Sequence, residues 1–151
     1  MWWRRGERPR GIADKRFTFA SIFAAIEPGA DNAFALVLPY VSTEAMQLFL
    51  DRFSATVEED EHVAMVLDQA GWHGAKALAV PSNITFMPLP PYSPDFNPLE
   101  KVWSKVKALL RKAAARTTEA LWEAIGRALE EVTAKDCQGC FEFCGYHATA
   151  V

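Results

Sequence analysis

Two carboxylates, Asp68 and Glu100, stand where they could hold a divalent cation. Asp68 closes the apolar run Val63-Ala64-Met65-Val66-Leu67, which reads as a buried strand ending in an acid. Glu100 lies just inside a helix announced by Asn97 as N-cap and Pro98 at the first helical position. Between them Pro88-Leu-Pro-Pro-Tyr-Ser-Pro-Asp-Phe-Asn-Pro98 forms a stiff connector, too proline-rich for helix or central strand. A strand-end Asp and a helix-start Glu joined by a rigid arm supply hard oxygen donors. Such donors suit Mg²⁺, which takes one or two carboxylates and completes its shell with substrate phosphate and water.

Each residue also has a purely structural reading. Asp68 could be an N-cap or a loop residue after its strand. Asn97-x-x-Glu100 has the form of a capping box, in which the Glu reaches back to the N-cap amide. Asn97 and Tyr92 read as scaffold for the arm, and Ser93 has no nearby base to make it a nucleophile. His73 suits a phosphate contact, a general acid or base, or a loop anchor. On the helix, Trp103, Ser104, Lys107 and Arg111 share the face of Glu100. Lys107 and Arg111 can therefore reach phosphates near it, while Trp103 reads as packing. Cys137, Cys140, Cys144 and His147 crowd together but fit no zinc spacing, and the cysteines recur at helical intervals.

The elements that must position these residues are legible in turn. The 16–26 segment is aromatic and β-prone, Glu27 to Asn32 a turn, and 33–39 a second strand, making an antiparallel hairpin. Thr43 opens an amphipathic helix with Met46, Phe49, Leu50, Phe53 and Val57 inward. Glu58 to Glu61 is a solvated acidic turn, and 71–80 a loop with a short helix. A brief strand spans 83–88, one helix runs from Pro98 to about Ala115, and another from Thr118 to about Val132. In that last helix Leu121, Trp122, Ile125, Leu129 and Val132 are expected inward.

Leu67-Asp-Gln-Ala-Gly-Trp-His73, Asn83-Ile84, Leu89-Pro-Pro-Tyr-Ser-Pro-Asp-Phe-Asn-Pro-Leu-Glu100, Trp103 and Lys107 together resemble the C-terminal half of a mariner-like DDE transposase of the bacterial insertion-sequence branch. The resemblance implies an α/β, ribonuclease H-like fold with a mixed sheet flanked by helices. It also implies three acids binding two Mg²⁺ ions (or Mn²⁺) for DNA strand cleavage and transfer. Asp68 matches the second acid and Glu100 the third. The first belongs on a strand ahead of Trp2-Trp3, and such a fold opens with three antiparallel strands where two are legible here. The expectation is therefore a domain lacking its first strand, inactive alone, with no helix-turn-helix ahead of it. The sheet edge so exposed invites self-association or pairing with the rest of the transposase. Expected DNA contacts are His73, Lys101, Lys105, Lys107 and Arg111; Asn97, Pro98 and Trp103 are expected to be structural. The alternative is a non-catalytic DNA-binding or regulatory partner of a full-length transposase.

Composition fits one domain of 151 residues, half of them hydrophobic, with a basic arm at 1–15 and a packed tail at 136–151. No apolar run spans a bilayer, and three late cysteines make no disulfide framework, so a cytoplasmic, nucleoid-associated protein is expected. The net charge of −3 hides a strong asymmetry. Residues 101–116 carry Lys101, Lys105, Lys107, Arg111, Lys112 and Arg116 and no acid. Local patches of this kind, and not the net value, govern phosphate contact.

Overall fold

A computed structural model describes residues 20–30, 33–69 and 77–147. The basic arm, His73 and most of the 71–80 loop lie outside the described residues. The element order is β1 (Ser21–Ala25), β2 (Phe34–Leu38), α1 (Thr43–Ser54), β3 (Val63–Leu67), β4 (Ile84–Pro88), a 3₁₀ turn (Pro94–Phe96), α2 (Pro98–Ala113), α3 (Thr118–Glu130) and α4 (Ala134–Phe143).

β1 and β2 form the expected antiparallel hairpin, in register from Ser21 opposite Leu38 to Ala25 opposite Phe34. The turn between them places Gly29 at φ 78°, a left-handed conformation that costs glycine nothing. β3 and β4 pair in parallel, from Val63 beside Ile84 to Leu67 beside Pro88. Pro88 ends its strand, where the lost N–H matters least. Among the described residues these are two separate two-stranded sheets and not one mixed sheet. β3 is correspondingly half-buried rather than buried, with only Leu67 inside and Ala64 exposed.

One helix ties the two sheets together. Alternate residues of every strand point to the same side: Phe23 and Ala25, Phe34 and Leu36, Val63 and Met65, Ile84 and Phe86. All of them belong to or pack against one cluster with Met46, Phe49, Leu50 and Phe53 of α1. Ser42 caps α1 by accepting from the Ala45 amide at 3.1 Å. At its other end Ser54 donates to Asn83 Oδ1 at 2.7 Å, and Asn83 Nδ2 donates back to the Ser54 carbonyl at 3.1 Å. This clamp fastens α1 to the entry of β4. Val57, read as part of the helical stripe, falls beyond the helix end.

The second core lies among the later helices. Val102 and Val106 of α2 pack with Ala128 of α3, with Val132, and with Cys137 of α4, and Ile26 joins them from the end of β1. α2 stops earlier than expected because Ala114 turns left-handed at φ 48°. α3 likewise ends at Glu130, short of Val132. Trp122, expected inward, is 45% exposed. The buried stripe of α3 runs through Ala124, Ile125 and Ala128, and Trp122 sits on its edge. No helix among the described residues is long and apolar enough to cross a membrane.

Candidate metal centre

Asp68 follows β3 directly, and the end of that strand is well tied. The Leu89 amide donates to the Leu67 carbonyl at 2.8 Å, and Gln69 Nε2 donates to the Leu89 carbonyl at 2.9 Å. The position of Asp68 is therefore set by the β3–β4 ladder as it passes into the proline arm. Within the arm Leu89 is buried, while Tyr92 is fully exposed and left-handed at φ 57°. Phe96 closes the 3₁₀ turn, and its carbonyl accepts from the Tyr146 hydroxyl at 3.0 Å, which pins the arm to the chain beyond α4.

Asn97 caps α2 by accepting from the Leu99 amide at 3.1 Å, with Pro98 buried at the first helical position. The capping-box reading of Glu100 fails for a specific reason. The Asn97 N–H, which a boxed Glu would accept from, already donates to the Pro94 carbonyl at 3.0 Å. Among the described residues the Glu100 carboxylate takes part in no hydrogen bond or ion pair, and it is exposed.

Asp68 and Glu100 line the same cavity of about 390 Å³, together with the arm and Asn97. Both also line a larger cavity of about 1110 Å³ that runs along β1 and β3. The donor set is two exposed carboxylates and nothing soft. That suits one hard cation whose remaining ligands are water or phosphate. Among the described residues no group of three or more His, Cys, Asp or Glu side chains gathers at one point. The cysteines lie along α4 and its cap, with Cys137 and Cys144 buried. Burial pushes the thiols of Cys140 and Cys144 above their ordinary range.

The four basic candidates on α2 divide into two pairs. Lys105 is engaged: its Nζ donates to Asp136 Oδ2 and to the Glu131 carbonyl, each at 2.6 Å. That occupies the ammonium which the sequence reading offers to phosphate. Lys101 sits 4.5 Å from the Phe143 ring centroid and 3.9 Å from Asp95. Lys107 and Arg111 are exposed, in line with Glu100 and Ser104, roughly 10 and 16 Å along the helix from Glu100. Trp103 packs against the helical core and lines the larger cavity.

The Lys105 bridge belongs to a capping box that the sequence reading does not reach. Thr133 caps α4 by accepting from the Asp136 amide at 3.2 Å, and Asp136 accepts from the Thr133 amide at 2.9 Å. The signature Thr133-x-x-Asp136 is the signal that could have found it. The Lys105 ammonium, then the Thr133 amide and hydroxyl, hold the Asp136 carboxyl down at about 2. A carboxyl depressed in the folded state stabilises above its unfolded value near 3.8 and loses that contribution as pH falls toward 2. Asp136→Asn is thus expected to cost about 1 kcal/mol at neutral pH, a cap and a part-exposed ion pair together. Urea unfolding across a pH series should show the gap to the native chain closing between pH ~4 and ~2. A gap that persists at low pH would contradict this pairing.

The fold and the site together define an α/β domain that presents paired acids from a strand end and a helix start. The family model described as "DDE superfamily endonuclease" matches residues 1–122, and the chain belongs to that family. It is also similar to an uncharacterized protein, y4pE/y4sA, of Sinorhizobium fredii, with 49% identity over 85 residues, 56% of this chain and 63% of the relative. The match thus spans less than two thirds of that relative's length. No solved structure matches the chain.

Proposed function

We propose that this chain forms much of the catalytic domain of a DDE transposase, ribonuclease H-like in topology. Its ancestral reaction is Mg²⁺-dependent hydrolysis at the end of an insertion sequence, followed by strand transfer into target DNA. One observation carries the reading: Asp68 and Glu100, from opposite ends of the 68–100 stretch, meet at a single cavity.

Asp68 and Glu100 would hold Mg²⁺, or Mn²⁺ in its place. When bound, the cation supplies charge neutralisation at the attacking or leaving oxygen of the phosphodiester. Asn97 and Pro98 fix the helix start that aims Glu100, and the pinned proline arm limits its movement relative to Asp68. Lys107 and Arg111 supply phosphate contacts for double-stranded DNA, with Lys101 nearer the acids, and His73 remains a proposed phosphate contact. With two carboxylates at the site among the described residues, the chain alone is proposed to be inactive. Its place is the cytoplasm, at the nucleoid.

A second reading, a non-catalytic DNA-binding or regulatory partner of a full-length transposase, draws on the exposed Lys107–Arg111 stripe, which needs no metal to meet DNA. Incubating the purified chain with supercoiled plasmid and Mg²⁺ is expected to leave the plasmid intact. Robust nicking, abolished in Asp68→Ala, would overturn the proposed inactivity. Salt-sensitive DNA binding with neither nicking nor cation binding would favour the second reading.

A further inference from the structure

The chain beyond α4 reaches back to the start of α2. Gly145 follows the helix at φ 88°, and its amide donates to the Glu142 carbonyl at 3.0 Å. The Tyr146 amide then donates to the Phe141 carbonyl, also at 3.0 Å. These two bonds make a Schellman ending, complete with its side-chain contact: the Phe141 and Tyr146 rings meet edge to face, centroids 5.8 Å apart. The phenol is aimed by this ending, and its hydroxyl donates to the Phe96 carbonyl at 3.0 Å.

That carbonyl is one edge of the peptide group between Phe96 and Asn97. The other edge, the Asn97 N–H, donates to the Pro94 carbonyl at 3.0 Å. A planar peptide bonded on both edges cannot rotate without losing one of the bonds. It is also the peptide that leads into the N-cap, so its plane sets the direction in which α2 leaves the arm. Glu100 stands in the first turn of that helix. Directly after it, Lys101 Nζ lies 4.5 Å from the centroid of the Phe143 ring. The end of α4 therefore touches the chain on both sides of Glu100.

We propose that Tyr146 is a positioning residue for the cation site. Through the Phe96–Asn97 peptide it sets where Glu100 stands relative to Asp68, and so how tightly the two acids hold a divalent cation. This role rests on the reading of Asp68 and Glu100 as ligands. The two carboxylates come from separate elements, and the arm between them holds only a single 3₁₀ turn and the left-handed, exposed Tyr92. Mg²⁺ demands near-octahedral geometry, so a displaced Glu100 reads out as lost affinity. Burial, then the neighbouring Cys144, raises the Tyr146 phenol above its ordinary range, and the hydroxyl keeps the proton that it donates.

Tyr146→Phe keeps the ring against Phe141 and deletes only the hydroxyl. Two measurements on the full chain test the proposal: NMR-detected hydrogen exchange without metal, and Mn²⁺ titration read by electron paramagnetic resonance. Exchange at the Asn97 and Glu100 amides should speed about fivefold, the worth of one hydrogen bond in local opening. Mn²⁺ affinity should fall about three- to tenfold. In a Glu100→Gln background the same change should leave the residual affinity unaltered, because Tyr146 acts through that carboxylate. Asp136→Asn loosens the opposite end of α4; it should lower stability and keep Mn²⁺ affinity within about twofold. Unchanged exchange or native Mn²⁺ affinity in Tyr146→Phe would overturn the proposal. So would an equal loss of affinity in Asp136→Asn, or an equal effect of Tyr146→Phe in the Glu100→Gln background. A native chain that binds no Mn²⁺ would overturn the cation site itself, while faster exchange in Tyr146→Phe would still support the brace.

Discussion

Replacing Phe49 with alanine is expected to remove about 3–5 kcal/mol of stability, the usual cost of truncating a buried aromatic. Phe49 is 3% exposed and stands at the centre of a ring cluster. Its centroid lies 6.0 Å from Phe23, 5.6 Å from Phe34 and 6.1 Å from Phe53. The alanine variant would leave a cavity under both sheets at once, because strands of both pack on this face of α1. Against a typical total of ~5–15 kcal/mol, that loss should leave a substantial unfolded fraction at 37 °C. Phe49→Leu keeps much of the volume and should cost less than ~1.5 kcal/mol. Chemical denaturation followed by circular dichroism measures both. An alanine variant that loses less than ~1 kcal/mol would mean that this cluster is not the core joining the sheets.

The second large effect concerns DNA. Reversing charge at both positions, Lys107→Glu with Arg111→Glu, should weaken binding to duplex DNA by roughly 10–100-fold at moderate salt. The dependence of log affinity on log salt should flatten by about 2, one for each phosphate no longer neutralised. Lys105→Ala should behave differently. Its ammonium is held between Asp136 and the Glu131 carbonyl, so its removal should lower stability and leave the salt dependence of DNA binding nearly unchanged. Fluorescence anisotropy with a labelled duplex across a salt series separates the two outcomes. Equal effects of Lys105→Ala and the double reversal would contradict this division between the engaged Lys105 and the exposed Lys107 and Arg111.

Much of the local architecture is written in local pattern. The apolar run to Leu67, the Asn97-Pro98 helix start, the α1 stripe and the hairpin turn are each specified by residues within a few positions of one another. The features that escape a linear reading depend on distant partners. Lys105 reads as a basic residue on a helix, and its real partner Asp136 lies in another helix. β3 reads as buried because its side chains are apolar, but burial depends on neighbours, and among the described residues it has one. Glu100 reads as half of a capping box, and the Pro94 carbonyl takes that amide by way of a 3₁₀ turn invisible to a period count. Trp122 reads as inward along with the other apolar residues of its helix, whereas the small residues Ala124 and Ala128 set the packed stripe with Ile125. In each case residue type and spacing left a short menu, and a tertiary partner made the choice.

If Asp68 and Glu100 form one cation site, a Mn²⁺ titration of the purified chain tests it most directly. Free Mn²⁺ would be read by electron paramagnetic resonance, comparing the native chain with Asp68→Asn, Glu100→Gln and the pair combined. The expected result is one bound ion on the native chain, affinity lowered at least about tenfold by either single change, and no specific binding in the double variant. Equal Mn²⁺ binding by the native chain and the double variant, or none by either, would contradict the shared site.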